Sequence, residues 1–123
     1  MKKRSYKITF DLKEGYAEKA RVHTIKFAGD IITKWMEGQL KNNQPIVTGF
    51  LEEGILFFPK PDNEQKVIVT PSAVFTGELS SPEDMKRTNK EVKQTLESLA
   101  QALKQGLKQE SVFIIYRDVN WCV

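Results

Sequence analysis

Residues 82–116, PEDMKRTNKEVKQTLESLAQALKQGLKQESVFIIY, decide the fold class, because they hold the longest helical pattern and the most apolar strand pattern in the chain. Ser81, Pro82 and Asp84 are typical of a helix start, with a capping hydroxyl and a proline in the first turn. Apolar residues then recur at helical spacing, as one stripe: Met85, Val92, Leu96, Leu99, Leu103 and Leu107. We therefore expect one long helix from about Pro82 to Lys108, packed on a sheet.

The strand pattern that follows this helix, at 112–116, is apolar on both faces. Successive side chains of a strand point to opposite faces. The two sets are Val112, Ile114 and Tyr116 on one face and Phe113 and Ile115 on the other. Such a pattern is typical of a central strand that is buried on both sides. Because one layer of helices covers only one face of a sheet, the other face needs a second source of cover.

The N-terminal third of the chain supplies two strand patterns and a helix. Apolar and polar residues alternate from Tyr6 to Leu12 and again from Arg21 to Phe27, which predicts an antiparallel pair of strands. Gly29-Asp30 then ends the second strand and starts a helix that runs to about Lys41.

The middle of the chain predicts three strands. Segments 46–51 and 55–58 flank Glu52-Glu53-Gly54, which is typical of a hairpin turn. Segments 66–70 and 73–79 are also strand-like, and Pro71 between them implies an edge strand, a bulge or two short strands, because proline lacks the N–H that a sheet ladder needs.

The element order is therefore β-β-α-β-β-β-α-β, in a single domain over residues 1–123. Clustered strands and few helices favour an α+β fold. We expect a two-layer sandwich with a mostly antiparallel sheet of five to six strands and two helices on one face.

Composition indicates a folded protein of the cytoplasm. The chain is 40% hydrophobic and 28% charged, and no segment is apolar enough to cross a membrane. The lysines and arginine at 2–4 precede an alternating pattern and not an apolar run, so we expect no signal peptide. The single cysteine, Cys122, fits a reducing compartment.

The net charge of +3 is unevenly distributed, with +5 over residues 1–41, −3 over 42–78 and +1 over 79–123. A basic sheet face would be typical of nucleic-acid binding if exposed aromatic rings accompanied it. Tyr6 and Phe10 lie on the opposite face of their strand from Lys7, so we do not expect nucleic acid as a partner. The basic residues considered are Lys2, Lys3, Arg4, Lys7, Lys13, Arg21 and Lys26.

Few residues are candidates for catalysis. His23 is the only histidine and lacks a nucleophile motif beside it. Glu52, Glu53 and Glu78 could form a carboxylate pair if the fold brings them together. One histidine and one cysteine make no metal site, and the seven scattered glycines make no phosphate cradle, so we expect neither metal nor cofactor.

The favoured interpretation is a non-catalytic binding or assembly module that works as a homodimer, with a cleft for a small molecule or peptide. A second subunit would cover the doubly apolar last strand. The predicted interface residues are Ile114, Tyr116, Trp121 and Val123. Two alternatives stay open. One is a small enzyme that uses His23 or one of the three glutamates, and the other is a nucleic-acid-binding accessory protein.

Overall fold

The computed structural model describes residues 4–15, 17, 19–62 and 65–123. The described part contains five strands and three helices. They are β1 (Arg4–Asp11), α1 (Ile25–Lys41), β2 (Phe50–Pro59), β3 (Val67–Leu79), α2 (Pro82–Met85), α3 (Asn89–Leu107), β4 (Phe113–Tyr116) and β5 (Val119–Cys122).

The strands form one antiparallel sheet in the order β2-β3-β1-β4-β5, and the helices α1 and α3 cover one face of it. Along β1, every second residue from Arg4 to Phe10 faces the helices and is buried. The predicted α+β two-layer sandwich is therefore confirmed. No helix among the described residues combines the length and the apolar character that a bilayer crossing requires.

The helix predicted from Pro82 to Lys108 is interrupted after one turn. Ser81 accepts a hydrogen bond from the N–H of Asp84 and starts α2, and Thr88 accepts one from the N–H of Glu91 and starts α3. Two capping hydroxyls seven residues apart restart the helix, because each offers the backbone an alternative to the continuous ladder. The apolar stripe from Val92 to Leu107 is buried as predicted, whereas Met85 is exposed.

The second predicted strand, at 21–27, is instead the entry to α1. The hydroxyl of Thr24 accepts a hydrogen bond from the N–H of Phe27, so the helix begins at Ile25. Ile25, Ala28 and Ile32 also fit a helical period, and that period prevails because α1 packs against α3 and the sheet. One isolated bridge, between Lys13 and Val22, is what remains of the predicted pairing.

The three strands predicted in the middle of the chain are two long ones. Glu52-Glu53-Gly54 lies inside β2, and the reversal of the chain comes after Pro59. Pro71 is tolerated inside β3 because its polar groups face β1 where that strand ends. Its carbonyl accepts a hydrogen bond from the N–H of Leu12, just beyond the last residue of β1, so no partner strand requires the missing N–H.

The sheet is covered on one face only, which corrects the expectation of a strand buried on both sides. On β4, Ile114 and Tyr116 lie beneath the helices, while Phe113 and Ile115 are 56% and 42% exposed on the opposite face. We call that opposite side the open face. The element order is accordingly β-α-β-β-α-α-β-β.

A two-stranded extension projects beyond the end of β1. Segments 55–59 of β2 and 67–71 of β3 pair with each other beyond Ser72, the last residue of β3 that pairs with β1. We call these residues the hairpin arm.

Candidate functional site

A cleft of about 260 Å³ lies where the hairpin arm leaves the open face. We call it the arm cleft. It is lined by Thr9, Asp11, Gly15, Leu56, Phe58, Gln109, Glu110, Ser111 and Phe113.

Three parts of the chain build the arm cleft. Alternation along β1 and β4 turns Thr9, Asp11 and Phe113 towards the open face. The same alternation turns Leu56 and Phe58 of the arm to that side. The amide of Gln109 donates a hydrogen bond to the carbonyl of Lys13 at 3.1 Å, which fastens the segment after α3 to the end of β1.

Two carboxylates, Asp11 and Glu110, line the arm cleft together with its apolar walls, and Asp11 is the one that β1 carries. Burial raises the pKa of Asp11, because a half-buried carboxylate loses part of its hydration. A cation bound beside Asp11 would give its carboxylate a partner of opposite charge. The aromatic side chains of Phe58 and Phe113 line the same cleft, and aromatic rings bind planar or cationic groups.

A second, broader groove of about 810 Å³ lies at the other end of the open face. Tyr6 forms part of it and donates its hydroxyl proton to the carbonyl of Thr48 at 2.7 Å. Burial, with a smaller effect of Asp84, raises the pKa of Tyr6, so its phenol stays neutral and acts as a structural tie. The groove is lined by Ser5, Tyr6, Lys7, Thr48, Gly49, Phe50, Thr76, Gly77, Glu78 and Ile115.

His23 is buried away from both clefts. Its Nε2 lies 2.9 Å from the Oε2 of Glu14, and its ring stacks on Phe27 at 5.0 Å. With 7% of its surface exposed, it joins the loop after β1 to the start of α1. Among the described residues that line the arm cleft and the groove, His23 is absent, so it has no access to a ligand bound in either.

The three candidate glutamates do not come together. Glu52 pairs with Val74 and faces the open side, whereas Glu53 pairs with Ala73 and faces the helix side. Glu78 shares the open face and lines the groove, but it lies four residues along β3 from Val74. That separation is about 13 Å at the usual rise of a strand, too far for two carboxylates to share a proton.

The four predicted interface residues lie close to the core of the chain itself. Ile114 and Tyr116 are buried beneath the helices, and Trp121 and Val123 are partly buried against the same core. The exposed apolar side chains of the last strands are their neighbours Phe113, Ile115 and Val119.

The basic residues of the first third do not share one surface. Lys7 is on the open face, while Lys26 is on α1 in the helix layer. Arg4 is buried and donates hydrogen bonds to the carbonyls of Asp84 and Arg87. Lys2 and Lys3 lie outside the described residues. Within the described segments, no three His, Cys, Asp or Glu side chains are grouped so that they could hold a metal ion.

Sequence reasoning missed Asp11. It belongs to the alternating polar set of β1, which predicts an ordinary solvated face. The signal that distinguishes it is that β4, the neighbouring strand, carries Phe113 and Ile115 on the same face. That signal becomes visible only when β1 and β4 are known to be neighbours.

The fold has known counterparts among solved structures. A phage SAM lyase in complex with S-methyl-5'-thioadenosine matches with a TM-score of 0.69, at 13% sequence identity, over 98% of this chain and 88% of that one. A phage SAM lyase in its apo state also matches with a TM-score of 0.69, at 13% sequence identity, over 98% of this chain and 87% of that one. No protein-family model matches the chain, and no curated protein resembles it significantly in sequence.

These matches correct the favoured interpretation. A likeness at 13% identity shows the fold alone, but the fold is one in which an enzyme is built. The prediction of a non-catalytic binding module is therefore wrong, and the alternative of a small enzyme is the better supported. The reason for the error is that the open face and its cleft depend on strand order, which the sequence pattern does not reveal.

Proposed function

We propose that this chain is a small-molecule lyase that binds S-adenosylmethionine in the arm cleft and releases S-methyl-5'-thioadenosine. The observation that carries the proposal is the position of Asp11, a half-buried carboxylate that lines the same cleft as the aromatic side chains of Phe58 and Phe113. The shared fold with a phage SAM lyase supports it.

The chemical groups in the cleft suit the substrate. S-adenosylmethionine carries a sulfonium cation and a planar adenine. Asp11 provides the opposite charge for the sulfonium. The ring of Phe58 or Phe113 provides a stacking surface for the adenine, and such stacking is worth about 1–3 kcal/mol per base.

The reaction needs neither water nor an oxidant. The bond between sulfur and the aminobutyrate carbon breaks, and its electron pair stays on sulfur, which becomes a neutral thioether. A carboxylate oxygen of the same fragment donates an electron pair to that carbon and closes a lactone ring, so no proton or water is needed and the two products together have the mass of the substrate. Charge disperses as the bond lengthens, so walls of low polarity favour the transition state relative to water.

The test is to incubate the purified chain with S-adenosylmethionine and to measure S-methyl-5'-thioadenosine by chromatography with mass detection. Product masses that add up to the substrate, with no oxygen taken from ¹⁸O-labelled water, are expected of a lyase. Asp11→Asn should raise KM and lower kcat/KM at least about 100-fold, because the substrate sulfonium loses its charge–charge contact in a half-buried site.

Asp118→Asn is the matched control, since Asp118 is exposed and remote from the arm cleft. It should leave the rate unchanged. Absence of the thioether product from the wild-type chain at high enzyme concentration would contradict the proposal. Equal activity of Asp11→Asn and Asp118→Asn would show that Asp11 has no role in the proposed reaction.

A cytoplasmic location also belongs to this proposal. Cys122 is the only cysteine and is exposed, which suits a compartment where thiols stay reduced.

A further inference from the structure

The hairpin arm carries an exposed apolar ladder on the side opposite the arm cleft. Phe57 pairs directly with Val69, Ile55 pairs with Pro71, and Val67 pairs with Pro59. Partners that lie opposite each other in a ladder share one face, so these side chains form a single surface. Ile55, Phe57, Val67 and Val69 are between 56% and 64% exposed. We call these four residues the arm ladder.

The arm ladder faces the helix side of the sheet, but the helices do not reach it. On β2, Leu51 is on the same side and packs against the core, whereas Ile55 and Phe57 beyond it are exposed. The arm is thus a two-stranded ribbon with apolar residues on both faces. A ribbon of two strands is marginal in water unless something packs on it.

We infer that the arm ladder docks a second copy of this chain. The four exposed side chains present roughly 400 Å² of apolar surface, which is the size of the largest apolar patch on a typical monomer, and such patches are often functional. Because interfaces are only somewhat more than half apolar, a partner that covers the ladder would bury roughly 700 Å² on each chain. That area approaches the roughly 800 Å² per partner of a stable complex.

The charges around the ladder suit a copy of the same chain. Near the tip of the arm, Lys60 and Asp62 form an ion pair at 3.2 Å, and Lys66 follows close by, so both signs border the patch. A surface of one sign would repel its own copy, whereas a mixed border does not. A two-fold axis lets one self-complementary patch serve on both chains.

The hairpin arm also needs a partner that is always present. An apolar ladder exposed on a marginal ribbon is an aggregation hazard from the moment the chain folds. A second copy is present in equal amount wherever this chain is made. The docking surface consists of residues other than Ile114 and Tyr116, which the chain buries in its own core.

Docking would stiffen one wall of the arm cleft, and this consequence rests on the proposed function. Leu56 and Phe58 alternate with Ile55 and Phe57 along β2, so a partner that holds one set holds the other. The second copy would therefore position the cleft wall without touching the ligand.

Analytical ultracentrifugation of the full chain tests the docking. The wild type should sediment as a species of at least two chains at about 10 µM, a concentration that resolves micromolar affinity. Phe57→Ser combined with Val69→Ser should give a monomer with an unchanged circular-dichroism spectrum. Phe50→Ser is the matched control on the same strand, where Phe50 is 77% exposed on the open face, and it should stay associated.

A wild type that is monomeric at about 100 µM would overturn the inference, as would a double variant that associates like the wild type. Should the double variant fail to fold, Val69→Lys replaces it, since a single charge in the ladder disfavours docking without removing side-chain volume. Release of the thioether product is measured on the same samples. If the wild type associates but shows no activity, the proposed function is contradicted and the docking is not. If the wild type is active as a monomer, the docking is contradicted and the proposed function is not.

Discussion

Ile114 and Ile115 are neighbours on β4 and identical in chemistry, yet they have opposite fates. Ile114 is fully buried beneath the helices, and Ile115 is 42% exposed on the open face. The difference comes from the single helix layer, which covers one face of the sheet and leaves the other to the surroundings. An apolar strand pattern therefore shows which side chains favour burial, but it does not show which part of the molecule buries them.

The two faces of the sheet also have different roles. The covered face holds the packed core of aliphatic side chains from β1, β4 and α3. The open face has the carboxylate of Asp11 in the same cleft as the aromatic side chains of Phe58 and Phe113, of which Phe113 is exposed. Such a surface is poor for stability and suited to a ligand, because a desolvated charge and uncovered apolar area both gain when something binds.

The largest expected difference between the faces is in the cost of removing an isoleucine. Ile114→Ala should lower the free energy of unfolding by about 3 kcal/mol, because it leaves a cavity in the core. Ile115→Ala should lower it by less than about 1 kcal/mol, because its side chain is already partly in water. Urea unfolding of both variants measures this, and equal losses would mean that the open face is as tightly covered in solution as the other.

Two glycines sharpen the same comparison at an intermediate scale. Gly77 is opposite Tyr6 on the covered face, and an added Cβ there would overlap the carbonyl of Thr48 and the Tyr6 ring. Gly77→Ala should therefore cost about 2 kcal/mol. Gly54 is opposite Ser72 on the open side, where the nearest atom would be 3.9 Å away.

Gly54→Ala should accordingly change the free energy of unfolding by no more than about 0.5 kcal/mol in either direction. Chemical denaturation compares the pair at one temperature. A Gly77→Ala variant as stable as Gly54→Ala would show that the segment at Thr48 yields easily and that the close approach has no structural weight.

The smallest expected effect is the pH dependence of Asp11→Asn. Burial raises the pKa of Asp11 in the folded chain above its value of about 3.9 in the unfolded chain. The folded state then binds more protons, so the ionised carboxylate lowers stability as the pH rises from that value through the folded pKa. Above that range the asparagine variant should melt slightly higher, and at about pH 3.5 the two melting temperatures should coincide.

Melting curves at several pH values check this sign. A variant that melts lower than the wild type at neutral pH would mean that the folded chain stabilises the Asp11 carboxylate. Combined with the loss of activity expected above, a rise in melting temperature is typical of a binding residue held in an unfavourable setting.

The parts of the fold that could be predicted are those with strong local patterns. The buried stripe of α3 follows from its spacing, and the caps at Ser81 and Thr24 follow from local hydrogen bonding. Only the first of these two caps was predicted. Segment 21–27 fits both a strand and a helix period, and packing of α1 on α3 decided between them.

The candidate site could not be predicted, for a related reason. Neither His23 nor Glu52, Glu53 or Glu78 lines the arm cleft, and Asp11 comes from a polar position on β1 that looks ordinary in sequence. The cleft joins β1, β2, β4 and the segment after α3, which are far apart along the chain. No local pattern encodes which of these elements become neighbours.

The sequence by itself determined that the chain folds as α+β, that one long helical stripe packs on a sheet, and that the last strands carry more apolar surface than two helices can cover. These follow from periodicity, because burial of one face imposes a period of 2 or 3.6. The tertiary structure alone decided that Pro71 lies inside a continuous strand, that residues 55–59 and 67–71 project as an arm, and that Asp11 lines the same cleft as two aromatic side chains. These three features depend on the order of the strands in the sheet and on the length of each strand relative to its neighbours. Both are decided when all the helices and strands pack around one core.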